Sequence, residues 1–350
     1  MFILISNLAG NCFKKMASPS TRKRGSKQFW PRVRAQKPTA VVNNWSSKNV
    51  KETNFLGFPA YKVGMTNVGV IDNFSHTLTK GTRVNIPVTV LECPPVKVLS
   101  VRLFGLDEYG NLQVVKEVST QLKDKFLSRK VDVAKKASKT PSAEELVSFA
   151  KENDVMDVRV KVVTTPSLTG IGKKKSEILE LGVSGSVEEK INFAISKLGV
   201  EVKVADVVKA GELFDSHGIT IGKGFQGAVK RFGVKLTSHK SEKSRRHAGN
   251  VGAWTPSRVP HTIPLAGQHG FHERTEWNKW IIKVSDKPDE VNPAAGFKHY
   301  GVVKNDFILV KGSILGSKKR LITLVKSIRP NERYPKVAPQ ITYINKWKWK

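Results

Sequence analysis

Cysteine, carboxylates and long apolar runs are what this sequence has least of, and each shortage excludes something. Two cysteines in 350 residues, Cys12 and Cys93, cannot build a disulfide framework or a multi-cysteine zinc site, and they suit a reducing compartment. No stretch of about 18 consecutive apolar residues occurs, so neither a membrane-spanning helix nor a membrane partner is expected. The nucleophile pattern G-x-S-x-G and the P-loop are missing, and Asp72, Asp107 and Asp206 stand without an evident partner, so nothing points to an enzyme. Acid is short throughout: 29 Asp and Glu face 60 Lys and Arg, a formal net charge of +31. Such an excess opposes compaction through self-repulsion and calls for a polyanionic partner, nucleic acid first. Hydrophobic residues still make up 39% of the chain, enough for a folded core.

The excess is unevenly placed. Residues 1–51 hold eleven cations and no acid; Glu52 is the first carboxylate. Residues 52–222 are nearly neutral, 23 cations against 21 acids, and 286–310 hold three against four. Residues 223–285 carry twelve against three, and 311–350 eleven against one. Long stretches lacking one sign read as arms that lie along phosphates, whereas a solvated face mixes signs. The opening MFILISNLAGNCFKK resembles a short signal region, but its charges follow the apolar run and it has no Ala-x-Ala site. Met16-Ala17-Ser18 reads as the more natural start, which makes residues 1–15 a gene-start artefact.

From Phe55 onward the runs FPAYKVGM, VGVIDNF, VNIPVTVLEC and VKVLSVRLF are β-branched and separated by Gly, Pro and Asn. That spacing predicts antiparallel β structure, a sandwich or barrel. LQVVKEV near 112–118 and DVRVKVVTTP add strands. PSAEELVSFAKEN and SVEEKINFAISKLG read as helices, opened by the capping boxes Ser142/Glu145 and Ser186/Glu189, the second closed by Gly199. These pieces form an α/β insertion over about 105–199. VKVADVVKAGELFDSHGITIG, GVVKNDFILVKGSI and RLITLVKSI return to strands, with Asn305-Asp306 in a hairpin turn. The expected organisation is mainly β: a core of 52–222 with 286–330, a basic N-terminal extension 1–51, an irregular basic central extension 223–285, and a basic tail 331–350.

Gly222, Gly224 and Gly227 match G-x-G-x-x-G after the strand-like ITI. The cationic AVKRFGVKLTSHKSEKSRR that follows shows no convincing helix or second buried strand, which argues against a dinucleotide-binding βαβ unit. Glycines around Phe225 and Gln226, beside Lys223, Lys230 and Arg231, suit close approach of backbone to a phosphate chain; a plain β-turn is the bland alternative. Residues 239–280 are too long for a structureless loop in a compact domain, so a partner should mould them. Gly249 and Gly252 there allow tight approach to an RNA backbone, and Lys243, Arg245, Arg246, His247, Asn250 and Arg258 supply donors. Trp254 either stacks on an unpaired base or plugs a local core. His261, Gln268 and His269 extend the polar set. His269-x-x-His272 has zinc-like spacing, but no cysteine lies nearby and no third ligand is evident, so no metal and no cofactor is expected. In the N-terminal arm Arg22, Lys23, Arg24, Arg32 and Arg34 surround Trp30, a mixture suited to folding onto RNA. Lys318, Lys319 and Arg320 form another cation cluster. The closing YINKWKWK alternates Trp347 and Trp349 with lysines, a strip for nucleic acid or, though too short to act alone, for a membrane surface.

GKGFQGAVKRFG at 222–233 and HAGNVGAWTPSRVPHTIPLAGQHGFHERTEWN at 247–278 closely resemble the universal ribosomal protein L-three family of the large subunit. FPAYKVGMT at 58–66, VNIPVTVLECPPVKV at 84–98 and KGSILGSKKRLITL at 311–324 support the match, which covers essentially everything after residue 15 in the archaeal-type form. The resemblance implies a non-enzymatic protein with a translation-protein-type β-barrel and long basic non-globular extensions. It implies binding to large-subunit (23S-type) rRNA, organisation of its 3′-terminal domain near the peptidyl transferase centre, and support of early assembly. It also implies neighbouring large-subunit proteins, transient proximity to elongation factors, and a cytoplasmic ribosomal location. Trp254 matches the family's tryptophan at the extension tip. Ser241-Glu242-Lys243-Ser244 stands where eukaryotic relatives carry His-Arg-Gly, so RNA contacts at that stretch do not carry over. The competing reading, an RNA-modifying or nucleotide-dependent enzyme using the glycine pattern, requires a βαβ unit around 215–245.

Overall fold

Val, Ile and Thr fill the regular segments, and the computed structural model, which describes residues 25–50, 52–122, 124–132 and 141–346, is mainly β. The chain clusters into two units, 37–219 with 273–350 and 1–36 with 220–272.

In the larger unit β1 (Gly57–Ile71) and β2 (Arg83–Glu92) pair antiparallel from Tyr61–Glu92 to Ile71–Arg83. The ladder runs on from β2 through β12 (Phe307–Lys311), β11 (Glu273–Ser285) and β8 (Leu213–Ile219) to β13 (Leu321–Lys326). β13 then returns to β1 through five rungs, Gly57–Val325 to Tyr61–Leu321, so the hydrogen-bond ladder closes on itself through six strands. β14 (Ile341–Ile344) adds to the far end of β1, at Val68–Val70. Both faces of the ring are covered. Along β12, Ile308 and Val310 join Phe58, Leu91, Phe214 and Leu324 in one apolar cluster. Phe307 and Leu309 join Val88, Val90 and Trp280 in the other. That two-sided burial is why FILV reads as an unbroken apolar run instead of an alternating one. Each such side chain contributes about 1.5–3 kcal/mol on burial.

The second sheet has the order β4 (Leu112–Ser119), β3 (Val96–Leu106), β5 (Asp157–Thr164), β6 (Ile178–Gly182), with the two-residue β7 (Glu201–Val202) beside the start of β3. Two helices, α1 (Ala143–Glu152) and α2 (Val187–Ser196), cover one face. Both capping boxes form: Ser142 Oγ accepts from the Glu145 N–H and Ser186 Oγ from the Glu189 N–H, with each glutamate reaching back. Leu146, Ala150, Ile191 and Ala194 pack in one cluster with Val101, Leu103, Val158 and Val160. The opposite face carries ion pairs: Arg102 Nε–Glu117 at 2.8 Å, Lys161 Nζ–Glu117 at 2.6 Å, and Arg102 with Glu180; Lys190 of α2 pairs with Asp157, at the start of β5, at 2.8 Å.

Several segments differ from the sequence reading. FPAYKVGM and VGVIDNF are one 15-residue strand, whose register shifts between Lys62 and Gly64. Residues 273–285, expected to be irregular, are β11, because Trp280, Ile281 and Ile282 bury into the ring. Ala228–Phe232, expected to be irregular, is a short helix, α3. Residues 40–50 do not behave as an arm: Ala40 and Val42 are buried, and Trp45 packs over Gly182. Ile341–Ile344, placed in the basic tail, is a strand. Asn305-Asp306 turns no hairpin, since residues 301–304 are not a strand. Asn305 instead donates, through its backbone N–H (3.0 Å) and Nδ2 (2.8 Å), to the buried Glu92 carboxylate. Glu92 also accepts from the Lys304 N–H at 2.9 Å and from the Tyr300 hydroxyl. Four donors thus compensate a buried charge that would otherwise be costly. The C-cap of α2 is Lys197; Gly199, two residues on, has φ +79°.

Candidate nucleic-acid interface

The smaller unit has little apolar material to bury, and its order comes from cations satisfied internally. Among its described residues Lys and Arg number twelve and acids one, Glu242. Ala228 and Phe232 of α3 are its buried apolar helix residues. Trp30 stacks on Phe232 with centroids 4.8 Å apart and planes at 22°, and His261 meets Trp30 edge-on at 6.5 Å. The Arg32 guanidinium lies 4.1 Å from the Phe232 centroid and donates to the Arg231 carbonyl. Arg231 reciprocates: its guanidinium donates to the carbonyls of Gln268 (2.9 Å), Leu265 (3.0 Å) and Arg32 (3.4 Å). Trp30, Arg32 and Arg231, each expected to face RNA, thus make contacts that hold the unit together. Phe232, on which they converge, was not singled out in the sequence; its one signal is an aromatic between Arg231 and Gly233.

A small ladder fixes the glycine segment. β9 (Phe225–Gln226) pairs antiparallel with β10 (Gly267–Gln268). The His269 N–H donates to the Gly224 carbonyl and the Lys223 N–H to the His269 carbonyl, both at 2.9 Å. Gly224 needs its lack of a Cβ, because its φ is +64°. A Cβ at Gly224, Gly227 or Gly249 would meet no protein atom within 4 Å, so their open sides face space that a partner's backbone can enter. β8 is antiparallel to both β11 and β13, β9 has two residues, and α3 has five. The glycine pattern thus lies in no βαβ unit, and the dinucleotide reading falls.

Phe225 is 77% exposed, and Lys223 and Lys230 are exposed. Arg34, exposed, lines an open cavity of about 570 Å³ with Ala35, Gln36, Gly222, Gly224, Gln268 and Phe271. Ala35 and Gln36 of this lining were not marked in the sequence, since they reach the glycine segment only through a contact of distant segments: the Ala35 N–H donates to the Phe271 carbonyl at 2.8 Å. Gln268 Nε2 is turned inward to the Gly270 carbonyl at 2.9 Å. His269 is held below the usual histidine range by burial and then by the neighbouring charges of Lys223, His272, Arg32 and Arg231. His272 is buried and its Nδ1 lies 2.8 Å from the Val33 carbonyl. Among the described residues no group of three His, Cys, Asp or Glu is arranged to hold a metal.

Residues 242–260 are almost wholly exposed. Lys243, Arg246 and Arg258 extend into solvent, while Arg245 Nε donates back to the Thr237 carbonyl at 3.2 Å and His247 Nδ1 sits 2.8 Å from the Ala248 carbonyl. Asn250 Oδ1 accepts from the Gly252 N–H at 2.8 Å, which shapes the turn before Trp254. Trp254 is 89% exposed and plugs no core. An aromatic ring presented beside cations has the chemistry of base stacking next to phosphate neutralisation. Lys318, Lys319 and Arg320 belong to the larger unit; Lys318 Nζ donates to the Lys298 carbonyl (2.7 Å), Arg320 to the Ile219 carbonyl (2.9 Å), and Lys319 is exposed. Arg22, Lys23, Arg24, Trp347, Trp349 and the opening fifteen residues lie outside the described residues.

The comparisons with known proteins agree in one direction. A family model described as Ribosomal protein L3 matches residues 16–346. The chain is 41% identical over 326 residues to the large ribosomal subunit protein uL3 of Methanocaldococcus jannaschii, covering 92% of this chain and 96% of the relative. It is 42% identical over 328 residues to that of Methanobrevibacter smithii, with the same coverage of each. It is 42% identical over 311 residues to that of Archaeoglobus fulgidus, covering 88% and 92%.

Proposed function

Because the chain belongs to the ribosomal protein L3 family, we propose that it is a structural, non-enzymatic constituent of the large ribosomal subunit that binds large-subunit rRNA. One observation of the molecule carries this reading: a unit whose described residues hold twelve cations to one acid satisfies Arg32 and Arg231 internally, yet leaves Lys223, Lys230, Lys243, Arg246 and Arg258 exposed, together with a bare Trp254. In this reading Arg32, Arg231 and the Trp30–Phe232 stack hold the unit's shape before RNA arrives. The exposed lysines and arginines displace counterions from phosphates. The open glycines admit the RNA backbone, the cavity beside Arg34 receives an unpaired nucleotide, and Trp254 stacks on a base near the peptidyl transferase centre. Organisation of the 3′-terminal rRNA domain, early assembly and proximity to elongation factors complete the proposed role, in the cytoplasm. Gradient sedimentation tests it: the protein should co-migrate with large subunits near one copy each, and stay with them at moderate salt. Migration with free protein, or with anionic vesicles in preference to subunits, would refute it.

A further inference from the structure

One part of this polycation is built for something other than phosphate. The hairpin joining β3 to β4, residues 103–115, contains no Lys or Arg and carries Asp107 and Glu108. Beyond the buried Leu103 and Phe104 its apolar side chains are nonetheless bare: Leu106 is 53% exposed, Tyr109 86%, and Leu112, Val114 and Val115 are exposed too. Leu106 pairs with Leu112 across the ladder and Phe104 with Val114, so Leu106, Leu112 and Val114 share one face of the sheet. Residues 40–50 cover the far side of this sheet, where Trp45 lies over Gly182, and ion pairs fill its middle. The hairpin end is left uncovered among the described residues. β4 is also an edge strand, paired among the described residues with β3 alone.

The turn is fixed in advance. Asp107 Oδ1 accepts the N–H groups of Tyr109 (3.0 Å) and Asn111 (2.8 Å), and Oδ2 accepts from Gln113 Nε2 (2.8 Å). The Asp107 N–H donates to the Asn111 carbonyl at 3.0 Å, and Gly110 takes φ +76°. A turn whose backbone is fixed before binding loses little freedom when its exposed tyrosine and leucines are covered, a property of interface anchors.

We infer that the β3–β4 hairpin is a docking surface for a basic protein neighbour, which seats apolar side chains against Leu106, Tyr109 and Leu112 and lays an extended segment along the free edge of β4. Two other occupants fit poorly. RNA would bring phosphates to an exposed turn that carries Asp107 and Glu108 and no Lys or Arg. A second copy docking symmetrically would set Asp107 and Glu108 against themselves. A cationic protein surface complements the acids and fills the apolar face. The inference rests on the proposed place of the chain in the large subunit.

The test uses large subunits assembled with chain carrying photoreactive benzoylphenylalanine at position 109 or, separately, at 254. The probe at 109 should couple to a single basic protein of the subunit, and the probe at 254 to rRNA. Coupling from 109 to rRNA, to a second copy, to the chain itself, or to nothing would overturn the docking surface. A silent 254 probe beside a productive 109 probe would instead refute the rRNA contact and leave the docking surface standing. Against the partner so identified, Glu108→Lys and Leu112→Ser should each weaken binding about tenfold. Both are surface changes, and circular dichroism should match wild type. Undiminished affinity in both would also overturn the inference.

Discussion

Arg231 and Arg258 are arginines of the same small unit, and their replacement should have opposite signatures. Arg258 is exposed and has no side-chain partner among the described residues. Arg258→Gln should remove one phosphate contact, lowering the slope of log affinity against log salt by about 0.7–0.9. Between 50 and 200 mM salt the variant then loses about threefold less affinity than wild type does. Arg231 is different, because its guanidinium serves three backbone carbonyls, those of Gln268, Leu265 and Arg32, and approaches the Phe232 ring at 5.0 Å. At about 0.5–1.5 kcal/mol per hydrogen bond, with the ring contact added, Arg231→Gln should cost about 2–4 kcal/mol. That is a large fraction of what so thin a core supplies. Arg231→Gln should therefore weaken rRNA binding at every salt concentration and raise amide exchange across 220–272, with 57–71 and 307–311 unaffected. Salt titrations of rRNA affinity and exchange mass spectrometry on both variants decide it. If Arg231→Gln changed only the slope and left exchange alone, or Arg258→Gln loosened the unit, the division into holding and binding arginines would be wrong.

Three further outcomes follow from single contacts. Trp254→Ala should leave the melting temperature unchanged, since the ring is 89% exposed, and should cost about 1–3 kcal/mol of rRNA affinity, read by nucleotide protection; full protection would contradict the stacking role. Burial alone would raise the Glu117 pKa, but hydrogen bonds from Lys161, Ser100 and Arg102 outweigh it and hold the carboxyl below its ordinary value. The stability this adds is present above about pH 4 and lost as pH falls. Glu117→Gln should accordingly lower the melting temperature by about 2–4 °C at pH 7, a gap that closes in acid; a gap that widened in acid would reverse the assignment. Gly182→Ala would put a Cβ within 2.6 Å of the Trp45 ring, so Trp45 must leave. Trypsin should then cut faster after Lys48, and an unchanged rate would argue against the packing.

The ring strands were legible where their residues are β-branched and their turns carry Gly or Pro, as from Phe58 to Val98. The helices were legible to the residue at their starts, because Ser142/Glu145 and Ser186/Glu189 are local devices complete within four residues. What escaped was set by distance along the chain. Trp45 meets Gly182 and Arg32 meets Arg231 only after folding, and no spacing in either segment announces the other. β11 escaped for another reason: ERTEWNKW is polar on both sides, and burial begins only at Trp280. The same limit governed the site. Composition located the cationic segments, but the division between arginines that hold and arginines that reach depends on carbonyls up to 199 residues away.

The closing rungs between Gly57–Tyr61 and Leu321–Val325 join the first long strand to one of the last. During synthesis the ring therefore stays open until nearly the whole chain has been made. The cationic segment 220–272 is complete some fifty residues earlier, a delay of several seconds at about 5–20 residues per second. For that interval a segment with a large excess of cations exists on a protein whose scaffold is still unsealed. Early capture by newly made rRNA, or by an acidic escort, would act on this open form, and the order of translation places RNA-competent sequence ahead of a finished fold.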